Sequence, residues 1–192
     1  MFKDKRTAMV GILVAALFLL SLTLTNPGKA LAADAFLKID GVEGESTDAK
    51  HKNEIGVISW SFGETNSGAA RAGGGGGTGK VNMQDFKFTM RTNKASPKLF
   101  EACATGEHLK WARLEVWKPG KEIMKFLEVT LEDVLVSSFV NLGSSGTGSA
   151  EPMEEIMLNF GKIKITYTMQ KPDGTSGGTV KTGYDVKASK KE

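Results

Sequence analysis

Apolar and polar residues alternate along most of this chain with the period of a β-strand, and no other feature limits its possible folds so sharply. In residues 55–64, Ile58, Trp60 and Phe62 share one face while Ser59 and Ser61 share the other. In residues 80–91, Phe86, Phe88 and Met90 line up, and in residues 109–118 Ala112, Leu114 and Val116 oppose Trp111, Arg113, Glu115 and Trp117 before the run stops at Pro119-Gly120. A strand with one apolar face has to bury it against a second layer, so the chain is expected to be mainly β.

Two longer segments change phase partway. Residues 123–142 keep Leu127, Val129 and Leu131 in one phase up to Glu132-Asp133, where a bulge or tight turn is expected. Residues 153–170 hold Ile156, Leu158 and Phe160 in one phase and Ile163, Ile165, Tyr167 and Met169 in the other, with Gly161 as the pivot. Residues 35–40 make a short first strand that ends at Gly41. Strands over 162–170 and 179–187 flank a Pro- and Gly-rich reversal from Pro172 to Gly178, which predicts a closing hairpin.

One helix interrupts the pattern. Ser96 is placed to cap it, Pro97 suits its first position, and Leu99, Phe100 and Cys103 form an apolar stripe before Gly106 ends the run. Cys103 then reads as a small buried hydrophobe. Many strands and one short helix fit a small barrel or sandwich. A small antiparallel β-barrel with one flanking α-helix is the expected fold, because closure removes the edges that long apolar strands would otherwise expose.

The first 32 residues read as a leader rather than as part of that fold. Lys3, Lys5 and Arg6 precede an apolar run over residues 8–24, Asn26-Pro27-Gly28 breaks it, and Ala30-Leu31-Ala32 offers the small residues a signal peptidase accepts. Cleavage between Ala32 and Ala33 is expected, giving a signal peptide over 1–32, a mature domain over 33–192, and a secreted or periplasmic product without stable membrane insertion. A retained anchor is the other reading of an apolar run of this length.

Lys3, Lys5, Arg6, Lys29 and Asp4 leave with the leader, which takes the chain's 25 basic and 22 acidic residues to 21 of each. A formally neutral domain lacks the positive field that nucleic-acid binding needs. With Cys103 the only cysteine, no disulfide can form within the chain.

Motifs that carry chemistry are weak here. Gly74-Gly75-Gly76-Gly77-Thr78-Gly79-Lys80 has the glycine–lysine spacing of a phosphate-binding loop, but Val81 stands where Ser or Thr would hold Mg²⁺, and a strand pattern follows where a helix is needed. As an extended loop over residues 65–79, the segment is either a docking element or a mobile hairpin tip. His51 and His108 have no metal-ligand spacing and read as surface residues, and Glu132-Asp133 and Glu154-Glu155 read as solvated. Residues 187–191, with Lys162 and Lys164, read as an exposed tail and a polar strand face. No metal, cofactor or catalytic residue is expected, so the chain is not read as an enzyme. A carbohydrate-binding module that uses Trp111, Trp117 and Tyr184 is the alternative function.

Taken in order, Phe36-Leu37-Lys38-Ile39-Asp40-Gly41-Val42-Glu43-Gly44-Glu45-Ser46, Ser59-Trp60-Ser61-Phe62-Gly63, the glycine run into Gly79-Lys80-Val81-Asn82-Met83-Gln84-Asp85-Phe86, Ser96-Pro97-Lys98-Leu99 with Ala102-Cys103, Leu135-Val136-Ser137-Ser138 and Leu158-Asn159-Phe160 resemble the haemolysin-coregulated protein family, the tube proteins of type VI secretion systems. The resemblance spans residues 35–187. It implies a β-barrel with a flanking helix, six copies of which close a ring around a wide pore. Rings stack into a tube that works with spike and sheath proteins and holds effector proteins in its lumen. The extended loop is implied to help rings stack, which gives Gly73, Gly74, Gly75, Gly76, Gly77, Thr78, Gly79 and Lys80 that role by position. If Trp60 and Phe62 pack inward, Ser59 and Ser61 are candidates to line the pore. The family's members assemble in the cytoplasm before release, so the leader is a departure from its pattern.

Overall fold

Alternation becomes burial most cleanly along the strand Phe86–Arg91, where Phe86, Phe88 and Met90 are fully buried and Lys87 and Thr89 face outward. This and every other feature below comes from a computed structural model that describes residues 33–66, 81–118, 123–143 and 151–192. The expected leader with Ala30 and Ala32, the loop residues Gly73, Gly74, Gly75, Gly76, Gly77, Thr78, Gly79 and Lys80, and Pro119-Gly120 lie outside the described residues.

In chain order the elements are β1 (Asp34–Ile39), β2 (Ile55–Ser61), β3 (Glu64–Asn66), β4 (Val81–Met83), β5 (Phe86–Arg91), α1 (Ser96–Thr105), β6 (His108–Lys118), β7 (Met124–Leu142), β8 (Met153–Gln170), β9 (Ser176–Asp185) and β10 (Lys190–Lys191). The main sheet runs β10-β9-β8-β5-β2-β1-β6-β7, and β7 also pairs with β8. That last pairing closes β8, β5, β2, β1, β6 and β7 into an antiparallel barrel, as expected from the alternation. Leu37, Ile55, Phe88, Leu114, Leu131 and Leu158 fill its core. Each such side chain contributes about 1.5–3 kcal/mol by leaving water.

The 162–170/179–187 hairpin does form, but it does not close the barrel. Closure comes from the first half of β8, which pairs Met153–Leu158 with β5. Beyond Leu158 β5 is no longer alongside, and β9 takes its place from Lys162 to Gln170, so β9 and β10 extend the sheet past the barrel.

The phase change expected near residue 132 is present without the expected bulge. Asp133 adopts a left-handed φ of 54°, and the pairing of Glu132 and Val134 with β6 and β8 keeps its register on both sides. The inward phase flips in the same row of three neighbouring strands. It passes from Leu109 to Ala112 in β6, from Leu131 to Val134 in β7, and from Phe160 to Ile163 in β8. Gly161 lets the chains approach at this row, since a Cβ there would lie 3.0 Å from Asp133 Oδ2 and 3.3 Å from Lys187 Cε.

Several local expectations are corrected. Ile58 does not share the buried face of Trp60 and Phe62; a register shift between Val57 and Ser59 leaves it 49% exposed. The stretch 80–91 is two strands, because Gln84 turns aside to donate its N–H to Gly63 O at 2.9 Å. β3 and β4 form a separate two-stranded ribbon. In α1 the cap position is Ala95, and Ser96 is the first helical residue. Leu99 and Ala102 form its buried side, Cys103 is half-buried, and Phe100 is 60% exposed with its ring edge-on to Phe139. Gly106 ends the helix as expected, with φ 68°.

Candidate functional site

The outward face of β2, β5, β8 and β7 is the strongest candidate surface, and it is built by strand register alone. Ser61 stands opposite Lys87, Lys87 opposite Met157, and Met157 opposite Ser138. In the next row Ser59 meets Thr89, Thr89 meets Glu155, and Glu155 meets Val140. Ser59 and Ser61 are both exposed and point away from the core, while Trp60 between them packs against it. A Ser59–Thr89 hydroxyl contact of 2.7 Å lies within the second row, and a Lys87–Glu155 ion pair of 3.1 Å joins the two rows. Such exposed pairs contribute roughly 0–1 kcal/mol each. They leave the face polar and close to neutral.

Both edges of this four-stranded patch are open among the described residues. β1 pairs only with Ile55 and Gly56 of β2, so residues 57–61 have β5 as their sole strand partner. β6 reaches only as far as Leu135 of β7, so residues 136–142 have β8 as theirs. Unpaired N–H and C=O groups on two unlike edges suit pairing with other chains.

Behind this patch, Glu154 holds the helix to the sheet. Only 1% exposed, its carboxylate accepts from Ser96 Oγ at 2.7 Å, Thr92 Oγ1 at 3.1 Å and Asn141 Nδ2 at 3.1 Å. The solvated reading of Glu154-Glu155 is therefore half wrong. Glu154 shares the phase of Ile156, Leu158 and Phe160, a signal already present in the sequence. Glu155, one residue on, does face solvent.

His51 is likewise not a surface residue. It is 5% exposed, its ring stacks on Phe36 at 4.3 Å between centroids, and its Nδ1 lies 2.8 Å from Glu54 Oε2. It sits in the β1–β2 connection, where no periodic pattern could announce it. His108 is exposed as expected, with Nδ1 2.9 Å from Asp133 Oδ1. Asp133 is held below the usual carboxylate range, first by the Lys187 ammonium bonded to it and then by His108.

Residues 187–191 are not a free tail. β10 pairs with Tyr184 and Asp185, and Glu192 reaches back to Lys162 at 2.9 Å and Lys164 at 3.1 Å. Glu192 raises the Lys162 pKa, Glu132 and then Glu192 raise that of Lys164, and the two lysines lower that of Glu192.

At the base of the β3–β4 ribbon a cavity of about 300 Å³ is lined mainly by apolar groups, among them Phe62, Met83, Phe160, Ile163 and Tyr184. Trp111, Trp117 and Tyr184 do not form a common stacking platform. Trp111 lies under Arg113, Trp117 packs edge-on to His51, and Tyr184 lines the cavity. Among the described residues, no three His, Cys, Asp or Glu side chains are placed to hold a metal.

Comparison with known proteins agrees with this architecture. The family model described as "Type VI secretion system effector, Hcp" matches residues 36–167. Protein hcp1 of Pseudomonas aeruginosa is 45% identical over 159 residues, covering 82% of this chain and 97% of that protein. A solved structure of a type six secretion system protein superposes with a TM-score of 0.79 at 32% identity, over 84% of this chain and all of that one. The crystal structure of Hcp1 from Salmonella typhimurium gives 0.69 at 34%, again over 84% of this chain and all of that one. With more than half of the chain matched by the family model and the same barrel in its solved neighbours, the chain belongs to the Hcp family, the tube subunits of type VI secretion.

Proposed function

We propose that copies of this Hcp subunit close into a hexameric ring by head-to-tail pairing of the two open edges of the β2-β5-β8-β7 patch. The observation that carries this reading is that residues 57–61 and 136–142 lie on opposite margins of one small sheet and are of comparable length. A heterologous contact of this kind generates a ring when its rotation closes. The outward face then becomes the wall of the pore, with Ser59 and Ser61 among its lining groups. Self-neutralised polar rows and the side chains of Met157 and Val140 suit transient contact with effector proteins passing through or held inside.

The extended loop carried by the β3–β4 ribbon, with Gly73, Gly74, Gly75, Gly76, Gly77, Thr78, Gly79 and Lys80, is assigned to stacking between rings, and the spike and sheath proteins are the further partners. The role is structural rather than catalytic. Hcp proteins are secreted type VI components. The leader, cleaved between Ala32 and Ala33, is read as an additional export signal, which intact-mass measurement of native protein tests.

Electron microscopy of protein beginning at Ala33 should show rings with a central hole. Particles of single-subunit size at every concentration would sink the proposal. In a Cys103→Ala background, Ser61→Cys should react with a small maleimide in the ring and be shielded from a maleimide carried on a bulky protein. Equal reaction with both would remove Ser61 from the pore wall.

A further inference from the structure

Both open edges of the β2-β5-β8-β7 patch begin at a bulge. β1 pairs with β2 no further than Gly56, and a register shift against β5 then leaves Ile58 as an extra residue between Val57 and Ser59. β6 pairs with β7 no further than Leu135, and a shift against β8 leaves Ser137 extra between Val136 and Ser138. In each strand the extra residue stands two positions past the last one that its barrel neighbour covers. A bulge bends its strand and sharpens the local twist, so both edges turn away from the barrel where its cover ends. Apolar side chains are exposed on both, with Ile58 on one and Val140 and Leu142 on the other.

One of these bends is tied down, and it is tied toward the opposite edge. Asp85, two residues before Lys87, shares its outward phase. Its Oδ2 accepts from Ser137 Oγ, the hydroxyl of the extra residue, and its Oδ1 accepts from Asn159 Nδ2 on β8 at 2.8 Å. Hydrogen bonds to a carboxylate are the stronger kind, and the two oxygens here engage two different strands. The preceding residue, Gln84, donates its N–H to Gly63 O at 2.9 Å, just past the end of β2. Residues 84 and 85 therefore connect the end of one open-edged strand to the bend of the other. Ser137 and Asn159 are exposed, so this brace adds little to the buried core.

We propose that Asp85 is a positioning residue for assembly, fixing the bend of the β7 edge relative to the β2 edge and with it the rotation between neighbouring copies. The inference rests on the ring reading for its occupant, a second copy of this chain, whereas the brace itself is a property of the single chain. In a head-to-tail ring the angle between two unlike edges sets how many copies complete the turn. An edge released from the brace pairs at a range of angles and gives short open chains in place of a closed ring.

The test uses the protein beginning at Ala33 and compares wild type with Asp85→Ala, Ser137→Ala, the double variant and Asp85→Asn. In single chains at high dilution, the amides of residues 138–142 that bond to β8 should exchange about fivefold faster in Asp85→Ala and in Ser137→Ala. The double variant should be no faster than the faster single one, because both remove the same contact. In native mass spectrometry Asp85→Ala should lower the share of six-subunit assemblies at least fivefold, with circular dichroism unchanged. Asp85→Asn should restore most of that share, since its amide oxygen accepts from Ser137 while its NH2 donates to a flipped Asn159. Lys87→Met, on the same face but outside the brace, should leave the share as in wild type. Should Asp85→Ala unfold the chain, Ser137→Ala decides alone, because losing an exposed hydroxyl leaves every strand pairing in place. Unchanged exchange overturns the brace. Faster exchange with an undiminished six-subunit share overturns its role in assembly, as does an equal loss in Lys87→Met. Absence of six-subunit assemblies in wild type overturns the ring reading and that role together, while the exchange rates still decide whether the brace exists.

Discussion

Glu154 and Glu155 are neighbours in sequence with opposite fates, and the difference is set by strand parity. Glu154 lies in the buried phase of β8, where three side-chain donors converge on it. Glu154→Ala would orphan Thr92, Ser96 and Asn141 together, and we expect a loss of about 3 kcal/mol in urea unfolding. Glu155→Ala should stay within about 0.5 kcal/mol. Asp133 makes a pH prediction. Its folded pKa is lowered, mainly by Lys187, so its contribution is fully present above the unfolded value and is lost as pH falls through the folded one. Lys187→Met removes the largest cause. Unfolding followed from about pH 5 to about pH 2 should therefore show a shallower loss of stability in that variant than in wild type. His51 shows where sequence reading stops at this scale, since its burial comes from Phe36, Glu54 and Trp117 meeting in space and not from any local pattern.

Among elements, the strands were legible because alternation survives wherever a single face is buried. The phase changes near Glu132 and at Gly161 were legible too. The sequence also held the signal for the matching phase change in β6, in the odd spacing between Leu109 and Ala112, and for the irregularity in β2, where the buried Ile55 and the half-buried Trp60 stand in opposite parity. It did not show that the phase changes form one row across β6, β7 and β8, because register between strands is a tertiary property. Nor did it show that β9 lies outside the barrel, since a hairpin looks the same whether or not its second strand closes a sheet. The β1–β2 connection adds a prediction. A Cβ on Gly44 would come within 2.4 Å of the Glu54 carbonyl oxygen, a backbone atom that cannot swing aside. Gly44→Ala should cost about 2–3 kcal/mol by thermal or urea unfolding and should expose His51 to solvent.

At the scale of the whole molecule, the proposed ring depends on edges more than on pockets. A barrel closed by half of β8 leaves the other halves of its strands free to extend or to meet other chains, and the short reach of β1 and β6 is what opens the margins of the β2-β5-β8-β7 patch. None of this could be read from the chain without its register; the ring was an expectation from the family resemblance alone, and the open edges are what support it. The claim that unlike edges close a ring is tested most directly by native mass spectrometry of the protein beginning at Ala33. The account predicts assemblies whose mass is six subunits or a multiple of six, lost when a proline replaces Ser59 on the β2 edge while the monomer stays folded. Monomers alone, or a continuous ladder of dimers, trimers and higher species with no preference for six, would contradict it.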